Sequence, residues 1–160
     1  MVDIQTLQAA SIFVASAGMF IAAVYYVLQI RHQTKIRQTD LVMKLYSTYD
    51  SMEFIEAWRK IYFTEFKDYD DFLKKFGGKR EIAIFVFRFF EEVGVLLRKK
   101  LIDIALVDEL FGNNVKMTWE KTKDTILEDA RRRVNPRAYE NFEYLYNEMK
   151  RREQKIAKTQ

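Results

Sequence analysis

The pattern of apolar and polar positions changes character at residue 30. From Ile4 to Ile30 no side chain is charged, and Arg31, His32, Lys35 and Arg37 follow at once. As a helix, Leu7 to Ile30 makes a rod of roughly 36 Å, enough to cross the ~30 Å hydrocarbon layer of a bilayer with some tilt. Beyond it the apolar residues recur at helical spacing. Ile36, Leu41, Val42, Leu45 and Tyr49 continue the first helix without a Gly or Pro. Asp50 or Ser51 then caps a helix carrying Phe54, Ile55, Trp58, Ile61 and Tyr62. A short segment from Asp68 to Phe76 is closed by Gly77-Gly78.

The later half reads the same way. Lys79 to Lys100 is very apolar, but Arg88, Glu91 and Glu92 stand in its middle, so the pattern predicts a core helix rather than a second span. Asp103 caps a short helix to Phe111 that Gly112 ends, and Asn113 or Asn114 starts another, through Trp119, Ile126, Leu127 and Ala130 to Val134. Asn135-Pro136 reads as a cap with proline at the first helical position, restarting a helix with Tyr139, Phe142, Leu145, Tyr146 and Met149 on one face. The expected fold is all-α: one transmembrane helix, then a cytoplasmic bundle of about five or six helices. The expected divisions are 1–30 for the outer terminus and span, 31–150 for the helical domain and 151–160 for a charged extension that frays.

Charge sets the orientation. All 27 Lys and Arg lie beyond the span, with all but one of the 23 Asp and Glu. The positive-inside rule places the amino terminus outside and the domain in the cytoplasm of a single-pass protein of the cell membrane, with Arg31, Lys35 and Arg37 at the inner surface. A cleaved signal peptide is the competing reading, since Ala15-Ser16-Ala17 resembles a cleavage site. It lacks a positive n-region, and thirteen uncharged residues follow Ala17. The roughly 130 remaining residues suffice for one domain with its own core. Few glycines, one proline and 15% aromatics fit a well-packed helical chain, and the lack of cysteine removes disulfides and thiolate chemistry.

The succession Phe89-Phe90-Glu91-Glu92-Val93-Gly94, Leu101-Ile102-Asp103, Leu110-Phe111-Gly112, Trp119, Arg131, Tyr139 and Phe142 behind an anchor resembles a family of small prokaryotic membrane-anchored helical proteins of unknown function. The resemblance implies the same architecture and carries no catalytic residues.

Two sets of residues are candidates for function. In the span, Gln8, Ser11, Ala15, Gly18, Ala22, Tyr25 and Gln29 fall on one stripe. Gly18 and Ala22 form a small-xxx-small step, so Ser11, Ala15, Gly18 and Ala22 are expected to contact another helix, although small residues are also merely tolerated in spans. In the domain, Glu91 and Glu92 sit among apolar residues. A buried carboxylate can serve as an acid or base in a pocket. The plainer reading is a buried ion pair of Glu91 with Arg88, Arg59 or one of Arg131 to Arg133, with Gly94 admitting Trp58 or Trp119.

No cofactor is expected. His32 is the only histidine, no Glu-x-x-His pair is present, and no phosphate loop or nucleophile elbow appears. The basic clusters Arg98 to Lys100, Arg131 to Arg133 with Arg137, and Lys150 to Arg152 are diluted by interleaved acids, which disfavours nucleic acid and leaves solvated faces or attraction to anionic lipid. The expected role is a membrane-tethered interaction module or accessory subunit. Its partners would be the bilayer and either another protein or a second copy, met through the span and the helical domain. The alternatives are an enzyme or ligand sensor around Glu91 and Glu92, and a lipid or nucleic-acid binder working through the basic clusters.

Overall fold

A computed structural model describes residues 3–77 and 80–158. Gly78 and Lys79, expected in the turn and at the start of the core helix, lie outside the described residues, as do the side chains of Ile82 and Ala83 and the last two residues of the charged extension. Among the described residues the chain is helical, without strands: α1 (Ile4–Tyr49), α2 (Met52–Phe63), α3 (Tyr69–Phe76), α4 (Arg80–Arg98), α5 (Ile104–Thr122), α6 (Glu128–Arg133) and α7 (Glu140–Ala157). A π-helical turn, Lys123–Leu127, joins α5 to α6.

Two compact units divide the chain between Thr39 and Asp40. The first holds the apolar stretch of α1 and the basic residues after it, and α1 is long and apolar enough to cross a bilayer. Its described side chains are exposed except for half-buried Gln38. The second unit runs from Asp40, and within it Leu41 and Val42 are the first side chains of α1 packed in the hydrophobic core.

In the second unit three helices start on local caps. Ser51 accepts from the Phe54 amide at 3.2 Å, Asp68 from the Asp71 amide at 2.8 Å, and Asp103 from the Ala105 and Leu106 amides at 2.9 and 3.2 Å. Each satisfies amides that the first helical turn leaves without partners. Gly77 ends α3 at φ 54°, a conformation costly for any residue with a Cβ.

The core is built around α4. Its Val86, Phe87, Phe90 and Val93 are buried together with Phe54 and Ile61 of α2, Phe111 and Trp119 of α5, and Phe142, Leu145 and Met149 of α7. Phe90 stacks on Phe142 at 5.0 Å and meets Phe54 edge-on at 6.0 Å. Each fully buried aromatic of this kind contributes about 1.5–3 kcal/mol, which is what holds so charged a chain together.

Three boundaries differ from the sequence reading. Gly112 ends nothing: α5 runs through it, and neither Asn113 nor Asn114 starts a helix, because the buried run of Val107, Phe111, Val115 and Trp119 carries the helix past it. Asn135-Pro136 does not cap α7 but makes a turn, in which Asn135 Oδ1 accepts from the Arg137 amide at 2.9 Å. α7 starts at Glu140, behind Tyr139 in a left-handed conformation at φ 59°. Its far end runs on past residue 151 to Ala157, with Arg152 Nε donating to Asp108 at 3.0 Å and Lys116 reaching Glu153 at 3.2 Å.

Candidate functional site

Tyr139 supplies no side-chain cap, so the start of α7 has to find acceptors elsewhere. Glu91, half-buried on α4, provides them. Its Oε2 accepts from the amides of Asn141 and Phe142 at 3.1 and 2.8 Å, and its Oε1 accepts from Asn141 Nδ2 at 2.8 Å. The neighbouring amides of Glu140 and Glu143 bond the carbonyls of Arg137 and Tyr139 at 3.3 and 3.1 Å. Every amide of the first turn is thereby satisfied, and a negative charge sits where the helix dipole favours one.

Glu91, Gly94 and Arg98 recur three and four apart, so all three point from α4 at the same turn of α7. A Cβ on Gly94 would lie 2.5 Å from the Asn141 carbonyl carbon and nearer still to its oxygen, so the two backbones touch there. Arg98 donates to Asn141 Oδ1 at 3.1 Å and lies over the Tyr144 ring. From the other side, Arg131 donates to the carbonyls of Ala138 and Tyr139 and to Glu143 Oε2 at 2.8 Å, with its guanidinium over Trp119. The Arg137 guanidinium bonded to Glu140 holds that carboxyl below its ordinary range, against a smaller opposing effect of burial.

The expected ion pair of Glu91 is therefore not the one formed. Arg88 points outward, and among the described residues neither Arg88, Glu91 nor Glu92 is in a salt bridge. The reason is geometric: Glu91 faces the open amides of α7, while Arg88 and Glu92 sit on the exposed side of α4. Gly94 likewise admits the backbone of α7, not a tryptophan ring. Asn141 was missed because nothing near it in sequence marks a contact with residue 91.

Glu91, Gly94, Trp119, Arg131, Tyr139 and Phe142, which carry the family resemblance, thus converge on one junction. The family model for a domain of unknown function, DUF4760, matches residues 12–149. The chain belongs to the DUF4760 family. No curated protein and no solved structure matches it.

In this DUF4760 chain the other expected positions are scattered. Ser11, Ala15, Gly18 and Ala22 are exposed along α1, and nothing approaches the space a Cβ on Gly18 would occupy. The Ser11 hydroxyl bonds the Gln8 carbonyl of its own helix at 2.9 Å. Arg31, Lys35 and Arg37 are exposed on the same helix. The described residues hold no cluster of metal-ligating side chains, His32 included. Arg133 pairs with Asp70 at 2.7 Å, Arg132 with Asp129 at 3.6 Å, and Lys150 with Glu120 at 3.5 Å, so the basic clusters are largely neutralised within the chain. An open groove lined by Thr48, Phe85, Arg88, Phe89, Glu91, Glu92 and Val95 runs along the outer side of α4. With both Glu91 oxygens engaged, its unengaged charged groups are Arg88 and Glu92.

Proposed function

We propose that this DUF4760 chain is a single-pass membrane protein whose amino-terminal helix spans the bilayer, with the amino terminus outside and the helical domain in the cytoplasm, acting as a tethered interaction module or accessory subunit. The observation that carries the reading is the apolar stretch of α1 from Ile4 to Ile30, where no side chain is charged and every described one is exposed. Water penalises that much exposed apolar surface, whereas hydrocarbon does not. The Ser11 hydroxyl, satisfied within the helix, also suits a medium that offers no hydrogen bonds. The basic residues Arg31 to Arg37 support the orientation, and Gly18 and Ala22 are suited to close packing with another span. A tether raises the effective concentration of the domain at its partner, which is how such a module acts without chemistry of its own. The sensor alternative has less support, because the carboxylate expected to serve a ligand is occupied by α7.

The test is extraction and labelling. The full chain is expected to stay in the membrane pellet through alkaline carbonate, with a tag before Met1 labelled in intact cells and a tag after Gln160 protected. Release by carbonate overturns the anchor, and labelling of the carboxyl-terminal tag overturns the orientation.

A further inference from the structure

The outer face of α4 carries Glu81, Phe85, Arg88, Glu92, Val95 and Lys99, spaced alternately four and three apart, the spacing of a helix-packing stripe. Glu81, Arg88, Glu92, Val95 and Lys99 are exposed and Phe85 is half-buried. None of the four charged side chains has a hydrogen bond or ion pair among the described residues, although most basic clusters of the domain are paired. Arg88 and Glu92 are four apart on one helix, yet they do not pair. Base before acid runs against the helix dipole and is the less favourable order for such a pair.

The stripe is complementary to its own reverse. Glu81 and Lys99 are equidistant from position 90, as are Phe85 and Val95, and Arg88 and Glu92. We propose that two copies of this chain dock through the outer faces of α4, antiparallel about a two-fold axis at position 90. Arg88 then meets the partner's Glu92, Glu81 meets the partner's Lys99, and Phe85 packs on the partner's Val95. Each contact occurs twice, as an isologous interface requires. A parallel pair would set Arg88 on Arg88, Glu92 on Glu92 and Glu81 on Glu81, so the charge pattern selects the antiparallel arrangement. Thr48 and Phe89 wall the groove that the partner's helix would enter. The proposal deepens the interaction-module reading and rests on it, naming a second copy as the partner.

The chain has no cysteine, so introduced thiols report only their own contacts. Full-length chain carrying Glu81→Cys is co-expressed with full-length chain carrying Lys99→Cys, and the membranes are oxidised. An 81–99 disulfide is expected from the mixture and none from either variant alone, since in an antiparallel pair the two copies of residue 99 are about 27 Å apart. Adding Arg88→Glu to both chains should cut the yield by roughly fivefold or more, and so should Glu92→Arg in both, because like charges then face each other. Arg88→Glu in one chain and Glu92→Arg in the other restores complementarity and should restore the yield. No disulfide, a 99–99 disulfide, a yield indifferent to charge reversal, or no recovery in the mixed pair would each overturn the proposal. Carbonate extraction reads α1 and the disulfide reads α4, so either result stands without the other. A contact through α1 alone cannot produce the 81–99 link.

Discussion

Helix α4 has two faces that use charge in opposite ways. On the inner side Glu91 is locked into the start of α7, Gly94 lets the two backbones touch, and Arg98 closes the turn through Asn141. On the outer side Arg88 and Glu92, three residues before Glu91 and one after it, face solvent and have no bonded partner among the described residues. The difference teaches that a charge inside an apolar sequence run says little by itself: the inner carboxylate serves the fold, and the outer pair is available to another chain.

The largest expected effect is on the inner face. Alanine in place of a mid-helix glycine ordinarily gains roughly 0.5–1 kcal/mol, but at Gly94 the new Cβ would meet rigid backbone of α7. Overpacking should win, so Gly94→Ala is expected to lose about 3 kcal/mol, lowering the melting midpoint of the full chain in detergent by roughly 10 °C. Gly112→Ala is the contrast. There the Cβ would overlap the Asp108 carboxylate, a side chain able to swing away from Arg152, and would meet Met149 Sδ at an ordinary 3.6 Å, so the midpoint should hardly move. Equal losses at the two glycines would mean that α4 and α7 do not touch as described.

A smaller effect is expected at Glu91. Glu91→Ala removes the acceptor for two amides of α7 and should cost about 2 kcal/mol, while Glu91→Gln keeps one acceptor oxygen and should cost about 1 kcal/mol. The same melts check this, and an unchanged midpoint for Glu91→Ala would remove the capping role. The smallest effect belongs to the outer face. Glu92→Ala should change stability by less than about 0.5 kcal/mol, as for an exposed residue bonded to nothing among the described residues, and a large loss there would erase the distinction between the faces.

Much of the fold was legible because its signals are short-ranged. Ser51 and Asp103 cap helices through bonds to residues two or three positions on, and the apolar spacing of Phe87, Phe90 and Val93 marks a core face without reference to any other helix. The junction was not legible for the opposite reason. Asn135-Pro136 has the look of a helix start, yet the cap of α7 comes from Glu91, fifty residues earlier. Gly112 has the look of a helix end, yet the burial of Phe111, Val115 and Trp119 outweighs it.

By itself the sequence determined the long apolar amino-terminal helix, the all-α character and the caps of α2 and α5, because uncharged runs, 3.6-residue periodicity and cap chemistry all act within a turn or two of chain. Only the tertiary structure decided where α7 begins, what Glu91 binds, why position 94 is glycine and which side of α4 is left open. Those depend on which helices pack together, and a carboxylate with amides in reach forms those bonds sooner than an ion pair whose partner points away.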